Sequence, residues 1–398
     1  MRHLRIGVAI RLGMLVCGYT LSLGSVLAAD KSPPEGEEVF RTVLRRQGEG
    51  RVHTYRIPGL VATPTGALIA VFDVRHEDSA DLPGDIDIGV MRSSDDGQTW
   101  SPMQLVLDFD RQEKGASGNG VGDPAVLVDQ RTGQIFVAGL WSKGNRAWNG
   151  SGPGLSPDET GQLVITRSSD DGITWSTPTN ITEKIRGRDP SWRLCFTCPG
   201  NGIQLRDGAL AFAAQFRDAE GTPHSCFIMS SDGGDSWAIS PPAIAAEPPT
   251  SEAQIAELAD GSLLLSMRDE SHGGQRVWAK FTLRDELANG TWSKPWFTTP
   301  DPTCMASLVR HPRGSLLFSN PNSATQRVAL TIRTSADDGK TWTAGRLLDP
   351  RPCGYSCLTV LKDGSIGVLY ECGDQSDIET LTFAKFPLAW LEGAERRR

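Results

Sequence analysis

The sequence has few features of a membrane or nucleic-acid-binding protein. Beyond residue 29, no stretch of the chain approaches the ~20 consecutive apolar residues that a membrane-spanning helix needs. Basic residues are not in excess, because 40 Lys and Arg stand against 48 Asp and Glu and give a net charge of −8 over 398 residues. An acidic chain is a poor candidate for binding nucleic acid or an anionic lipid surface. We therefore expect no membrane span and no nucleic-acid partner.

Flexible linkers and low-complexity tracts are also lacking. The 43 glycines and 25 prolines are spread along the chain, and 38% of the residues are hydrophobic. This composition excludes a disordered protein and indicates a folded body with many tight turns.

The first 29 residues have the layout of a secretory signal peptide. Three arginines lie at or before residue 11, an apolar stretch runs from Gly13 to Leu27, and two alanines follow. A buried first helix is the alternative. We expect cleavage and export to a periplasmic, extracellular or lumenal compartment, with residues 30–398 forming a single domain.

Cysteines are few and do not form a recognisable metal set. Eight are present, and seven would remain after removal of the segment that contains Cys17, so at least one thiol would be free or in an intermolecular bridge. Cys195-x-x-Cys198 has the spacing of a redox pair or half of a zinc site, but no second pair accompanies it. We expect buried thiols or one local disulfide there, and neither a metal nor another cofactor.

A repeated motif dominates the sequence. Four segments share the pattern Ser-x-Asp-x-Gly-x-(Thr/Ser)-Trp, here called the Asp-box, and a degenerate copy ends at Trp292. Each copy joins two strand-like runs, which predicts a hairpin turn. Dividing the mature chain into units of about 60 residues predicts an all-β fold, a six-bladed β-propeller. The four segments are Ser93–Trp100, Ser168–Trp175, Ser230–Trp237 and Ser335–Trp342.

The Asp-box aspartates could be read as catalytic or calcium-binding residues. A residue that recurs at the same outer corner of each blade cannot converge on one central site, so we interpret these aspartates as structural. Functional residues of a propeller are instead expected on non-repeating loops from several blades.

Three arginines, Arg56, Arg268 and Arg327, lie beside strand-like runs in different predicted blades. Taken alone, each could be a surface residue. The segment Tyr55-Arg56-Ile57-Pro58 combined with Asp-boxes resembles the exo-α-sialidase (neuraminidase) family of bacteria and animals, from about Val39 to about Leu381. Further motifs follow in the family's order: Glu252-Ala253-Gln254, Phe318-Ser319-Asn320-Pro321, Gly354-Tyr355-Ser356 and Leu369-Tyr370-Glu371.

The resemblance implies a set of substrate-binding residues. Arg56, Arg268 and Arg327 would grip the carboxylate of sialic acid, since a guanidinium group matches a carboxylate in two parallel hydrogen bonds. Glu371 would support the first of these arginines. Arg75 would reach a sugar hydroxyl, and Asp123 would either contact the sugar or serve as a turn residue.

The resemblance also implies three catalytic residues: Tyr355 as the nucleophile, Glu252 as its base, and Asp81 as acid/base for the leaving group, with Asp78 as the alternative. Sialic acid carries a carboxylate on its anomeric carbon, so a neutral phenol avoids the repulsion that an anionic nucleophile would meet. Sialidases with a tyrosine nucleophile are a known exception to the two-carboxylate scheme. Cys357 departs from the family, where Asp is common.

The resemblance therefore implies a retaining exo-α-sialidase that acts on sialylated glycoconjugates, and we expect a monomer. Two alternatives stay open at this point. A non-catalytic propeller lectin would bind the same sugar, and a trans-sialidase would transfer it to an acceptor instead of water.

Overall fold

The computed structural model describes residues 38–109, 119–186 and 189–393, all within one compact unit, Glu35–Arg398. The predicted signal peptide lies outside these residues. Helix is confined in the described ranges to two 3₁₀ turns, Glu49–Arg51 and Leu287–Asn289, and two short α-helices, α1 (Thr182–Arg186) and α2 (Leu388–Glu392). No helix in the described part has the length and apolar character to cross a membrane. The predicted all-β class is confirmed.

The first half of the described chain contains the strands β1 (Phe40–Arg46), β2 (Thr54–Ala62), β3 (Leu68–Arg75), β4 (Ile86–Ser93), β5 (Gln104–Leu107), β6 (Val121–Val128), β7 (Ile135–Trp141), β8 (Gln162–Ser168), β9 (Thr179–Asn180), β10 (Leu194–Thr197), β11 (Gly200–Asn201), β12 (Ile203–Gln204) and β13 (Leu210–Arg217). The second half contains β14 (Pro223–Ser230), β15 (Ala238–Ile239), β16 (Thr250–Glu257), β17 (Leu263–Asp269), β18 (Gln275–Thr282), β19 (Thr291–Trp292), β20 (Trp296–Pro300), β21 (Ser307–Arg310), β22 (Leu316–Pro321), β23 (Val328–Ser335), β24 (Arg346–Val360), β25 (Ile366–Cys372) and β26 (Thr380–Phe386).

Hydrogen bonding groups these strands into successive sheets. The strand orders are β2-β3-β4-β5, β11-β6-β7-β8-β9, β10-β13-β14-β15 with β12 also on β13, and β16-β17-β18-β19 with β20 also on β18. A last sheet has the order β1-β26-β25-β24-β23-β22-β21. The short β11 pairs with β6 in parallel, whereas the hairpin-connected strands pair antiparallel.

Strand β24 belongs to two sets of strands. Its first part, from Arg346, pairs with β23, and its second part, from Cys353 to Val360, pairs with β25. The N-terminal β1 pairs with β26 near the C-terminal end of the described chain. The two ends of the described chain therefore meet within one sheet, which leaves neither end as an isolated strand.

Strand β3 shows how the core forms between sheets. Its side chains alternate between two hydrophobic clusters: Leu68, Ala70 and Phe72 pack with residues of β25 and β26, whereas Ile69 and Val71 pack with residues of β6 and β7. A strand that is buried on both faces needs apolar residues at consecutive positions, which explains this continuous apolar run.

The Asp-boxes form the predicted turns. In the first, Ser93 Oγ donates to Asp95 and accepts the Gly97 N–H, and Asp95 accepts the Thr99 N–H at 2.9 Å. Hydrogen bonds from Thr99 hold the pKa of Asp95 at about 2. The aspartate oxygens are therefore occupied in fixing the turn, as a structural role requires.

Each Asp-box also packs onto a neighbouring sheet. A β-carbon added to Gly97 would lie 2.1 Å from Phe383, one on Gly172 would lie 2.8 Å from Ile69, and one on Gly234 would lie 2.5 Å from Phe136. Each of these apolar side chains lies in a different sheet from the hairpin that contains the glycine. The glycine thus permits close contact between sheets, in addition to the positive φ of the turn.

All seven cysteines in the described residues are buried and unpaired. Cys195 and Cys198 are thus two buried thiols and not a disulfide, which were the two alternatives expected for this motif. Burial raises the pKa of Cys195 to about 12, so this thiol is unreactive at neutral pH.

Substituting one Asp-box glycine should loosen the contact between two sheets. Gly234→Ala places a methyl group against Phe136 at a φ of 91°, and we expect it to lower the free energy of unfolding by about 2–3 kcal/mol. Gly233→Ala is the matched control, because its φ is 73° and its β-carbon would have no neighbour within 4 Å. Urea unfolding measures both, and equal effects would contradict the packing role.

Candidate active site

Four of the predicted site residues lie where a strand loses its regular register. β-Bulges redirect side chains and are frequent beside active sites. The four strands concerned also contact strands of other sheets. Strand β2 contacts β6 and β24, and β16 contacts β21, which itself contacts β24. The shifts fall between Arg56 and Gly59, Gly122 and Ala125, Thr250 and Ala253, and Cys353 and Ser356, and they include Arg56, Asp123, Glu252 and Tyr355.

Five predicted residues line one cavity. They are Asp81, Asp123, Glu252, Arg268 and Tyr355. The rest of the lining is a mainly apolar wall of Leu82, Leu140, Trp148 and Phe196, together with the polar residues Gln215, Ser251 and Glu270. Residues that are distant in the sequence thus share a concave, partly apolar site, the usual setting for a small ligand.

The phenol of Tyr355 is in direct contact with Glu252. Its hydroxyl donates to this carboxylate, with the two oxygens at 2.6 and 2.7 Å. Arg268 Nη1 donates both to Tyr355 Oη at 3.1 Å and to Glu252 Oε2 at 2.8 Å. Burial, followed by the negative charge of Glu252, raises the pKa of Tyr355 well above 10. The phenol is therefore protonated at rest, with a proton acceptor already in place.

Glu371 joins the strands that carry Arg56 and Tyr355. Its fully buried carboxylate accepts the Ile57 N–H at 2.9 Å, Arg56 Nε at 3.2 Å, Arg56 Nη2 at 3.4 Å and the Tyr355 N–H at 3.0 Å. A β-carbon on Gly354 would lie 2.3 Å from Glu371 Oε2. Glycine at this position is what lets the carboxylate reach the backbone of Tyr355.

All three predicted carboxylate-binding arginines reach Tyr355. The guanidinium carbons of Arg56 and Arg327 lie 5.5 Å from the centre of its ring, and Arg268 contacts its hydroxyl. Arg327 also lies 3.7 Å from Asp377 Oδ2 and donates to the Thr303 carbonyl at 3.4 Å. The structure thus brings the three guanidinium groups together around one phenol.

The arginines keep their charges despite their burial. Burial alone would lower the pKa of Arg56 and Arg268, but Glu371 beside Arg56 and Glu252 beside Arg268 outweigh it, and both pKa values are raised. Local positive charge therefore exists in a chain whose overall charge is negative, as binding of an anion requires.

Asp81 lies on the loop between β3 and β4 at the rim of the cavity. Its carboxylate is 2.8 Å from Arg75 Nη1 and 3.6 Å from Arg56 Nη1, and its side chain is 76% exposed. Desolvation would raise the pKa of Asp81, but Arg75 and Arg56 together lower it. Asp81 is therefore ionised at neutral pH. The alternative residue, Asp78, is exposed, and its side chain accepts the backbone N–H of Ala80.

Asp123 lies at the bulge of β6 and lines the cavity, and a contact with the sugar stays a prediction. Its φ is 57°, in the left-handed region, and its N–H donates to Asp73 Oδ1 at 3.0 Å. Burial, together with the negative charges of Asp73 and Asp81, raises the pKa of Asp123 well above its usual value.

Three further acidic residues contact the predicted site and were not found from the sequence. Asp73 binds Arg75, Glu270 lies 3.0 Å from Arg268 Nε without hydrogen-bond geometry, and Asp377 pairs with Arg327. Asp73 stands two positions before Arg75 on β3, a spacing that places side chains on one face of a strand. Glu270 stands two positions after Arg268 but lies one residue beyond the end of β17. Asp377 has no such local signal.

One group of potential metal ligands is present in the described ranges. His76, Asp85 and Asp87 lie close enough to share an ion, and His76 Nε2 is 2.9 Å from Asp87 Oδ2. None of the predicted site residues belongs to this group.

The fold agrees with comparisons to known proteins. The family model of the BNR repeat-like domain matches residues 66–368. Among solved structures, the chain is similar to the Hadza microbial sialidase Hz136, with a TM-score of 0.81 and 44% identity over 88% of this chain and 69% of that one. The chain therefore belongs to the sialidase family of BNR-repeat proteins.

Curated relatives include two bacterial sialidases. The chain is 40% identical over 357 residues to a sialidase of Bacteroides fragilis (strain YCH46), covering 85% of this chain and 63% of the relative. It is 37% identical over 392 residues to a sialidase of Micromonospora viridifaciens, covering 94% of this chain and 57% of the relative. The chain thus spans less than two thirds of the length of either relative.

The raised pKa of Tyr355 predicts that its phenol keeps its proton through the neutral range. Spectrophotometric titration of tyrosinate, in the wild-type protein minus Tyr355→Phe, should show no ionisation below about pH 10, the ordinary pKa of tyrosine. Ionisation of this one phenol at or below about pH 9 would contradict the geometry described for it.

Proposed function

We propose that this chain is a retaining exo-α-sialidase that releases terminal α-linked sialic acid from glycoproteins, glycolipids or oligosaccharides. The observation that carries the proposal is the contact of Tyr355 Oη with both oxygens of Glu252, at 2.6 and 2.7 Å, beside Arg268. A lectin has no need for a phenol that is hydrogen-bonded to a base. The geometry therefore favours catalysis over binding alone.

In this proposal, Arg56, Arg268 and Arg327 bind the substrate carboxylate. Their grouping around Tyr355 would place the adjacent anomeric carbon near the phenolic oxygen. Fixed guanidinium groups provide both charge and orientation, which reduces the entropy lost on reaching the transition state. Glu371 holds Arg56 in place, and Arg75 pairs with Asp81 at the cavity that Asp123 also lines.

Tyr355 Oη would form a bond to the anomeric carbon while its proton passes to Glu252. The bond to the leaving oxygen would break as that oxygen takes a proton from Asp81, which gives a tyrosyl intermediate. Water would then attack the same carbon while Asp81 accepts its proton. The bond from that carbon to Tyr355 Oη would break as Glu252 returns the proton to this oxygen. Two displacements at one carbon give net retention.

The charge state of Asp81 predicts how the rate depends on pH. Asp81 must be protonated to act as an acid, yet Arg75 and Arg56 lower its pKa in the ligand-free protein. The protonated fraction falls as the pH rises above that pKa, so the reaction is faster under acidic conditions.

We also propose a six-bladed β-propeller for the described unit. The first part of β24 can be counted with β23 and the second part with β25, which divides the seven-stranded sheet in two. Together with the other four sheets, this gives six sets of strands. The structure of NanB sialidase from Streptococcus pneumoniae, at 16% identity and a TM-score of 0.73, supports a shared fold. Export through residues 1–29 remains a proposal from the sequence.

Hydrolysis of sialyllactose between about pH 4 and 8, followed as release of free sialic acid, tests the function. We expect turnover by the wild-type protein that is highest toward the acidic end. Tyr355→Phe should lower the rate by about 100-fold or more, because the nucleophile is lost. Its affinity for the sugar should stay within about tenfold, since the arginines remain.

Tyr370→Phe is the matched control. Tyr370 is also buried on a strand, but its hydroxyl contacts Asp349 at 3.2 Å and it lies outside the cavity lining, so we expect it to retain activity. Sialoside binding without turnover in the wild-type protein would support the lectin alternative. A Tyr355→Phe variant with wild-type rates would overturn the nucleophile.

A further inference from the structure

We propose that Asp73 is a positioning residue for the acid/base step, acting through Arg75 on the loop that carries Asp81. This inference rests on the proposed sialidase function. Asp73 lies on β3, directly opposite Arg56 of β2, and is 1% exposed. Asp73 contacts neither Asp81 nor Tyr355, so its effect on the reaction has to pass through other side chains.

The Asp73 carboxylate is fully engaged by two neighbours. Its Oδ2 accepts hydrogen bonds from Arg75 Nε at 3.1 Å and Arg75 Nη2 at 2.8 Å, and its Oδ1 accepts the Asp123 N–H at 3.0 Å. Residues two apart on a strand share a face, so the Asp73–Arg75 pair forms within β3 without any help from the loop. The orientation of the Arg75 guanidinium is therefore set by Asp73.

The remaining Arg75 nitrogen faces the loop between β3 and β4. Arg75 Nη1 donates to the Ser79 carbonyl at 2.7 Å and lies 2.8 Å from Asp81 Oδ1. The only other ion pair of Asp81 among the described residues is the longer one to Arg56, at 3.6 Å. Arg75 thus connects the rigid strand to two points of the loop, and it fixes an acid that is otherwise largely exposed.

The other Asp73 oxygen supports a second part of the site. It holds the N–H of Asp123 at the bulge of β6, and a β-carbon on Gly122 would lie 3.3 Å from each Asp73 oxygen. One buried carboxylate therefore sets the position of both Asp81, through Arg75, and the backbone of Asp123.

Charge acts in the same direction as geometry. Burial raises the pKa of Asp73 to about 6 against the opposing effect of Arg75, so above that pH its negative charge offsets the positive charge of Arg75. Without that charge, Arg75 and Arg56 would hold Asp81 more strongly in its ionised form. A neutral residue at position 73 would therefore leave Asp81 both less well placed and less able to donate a proton.

The test compares two substrates that differ in their need for an acid. Sialyllactose has a poor leaving group that requires protonation, whereas a 4-nitrophenyl sialoside has a good one. We expect Asp73→Asn to lower kcat/KM about 100-fold for sialyllactose and less than about tenfold for the aryl sialoside. Asp81→Asn should show the same selectivity, because it removes the acid itself.

Asp349→Asn is the control for loss of a buried aspartate that pairs with an arginine two residues further on, although Arg351 is more exposed than Arg75. Asp349 is 4% exposed and binds Arg351 with contacts of 3.0 and 2.8 Å, but neither residue lines the cavity. A merely structural effect would reduce both rates equally, so this variant should show the same fold-change on the two substrates.

Equal losses on both substrates in Asp73→Asn, or no loss, would overturn the inference. If circular dichroism shows that Asp73→Asn does not fold, Arg75→Lys is judged by the same criterion, because one ammonium group cannot hold Asp73, Ser79 and Asp81 together. Failure of the proposed function is distinguishable, because the wild-type protein would then hydrolyse neither substrate.

Discussion

The buried carboxylate of Glu371 is the interaction on which the geometry of the site depends. It binds Arg56 and the Ile57 N–H of β2 on one side and the Tyr355 N–H of β24 on the other, so it joins strands from opposite ends of the chain. Burying a charge is costly unless it is paired and hydrogen-bonded, and here both oxygens are engaged. The position of the phenol and that of the first arginine are therefore not independent.

Similar pairs of an arginine and a carboxylate lie around the cavity. Each arginine near Tyr355 has its own carboxylate partner: Glu371 for Arg56, Glu252 and Glu270 for Arg268, and Asp377 for Arg327. These pairs keep mutually repelling cations together before any ligand is bound. They also explain how an acidic chain can form a local anion-binding site, since the positive charge is concentrated at the cavity and each arginine is paired with a carboxylate.

Features fixed by local sequence could be predicted, whereas features fixed by long-range pairing could not. The Asp-box holds its whole turn within eight residues, as Ser93 to Trp100 shows, so its repetition predicted an all-β fold. The roles of the arginines and Tyr355 were predicted from the family motifs that contain them, and the structure brings these side chains together. The division of β24 between two sets of strands and the Asp377–Arg327 pair depend on contacts that no local pattern encodes.

Urea unfolding of Glu371→Gln tests most directly whether this carboxylate holds the site together. The substitution keeps the size of the side chain but leaves Arg56 without its buried counter-charge, and the free energy of unfolding should fall by about 3 kcal/mol or more. Glu257→Gln, which alters the more exposed ion pair with Arg206, should cost less than about 1 kcal/mol. Equal stabilities of the two variants would contradict the central role of Glu371.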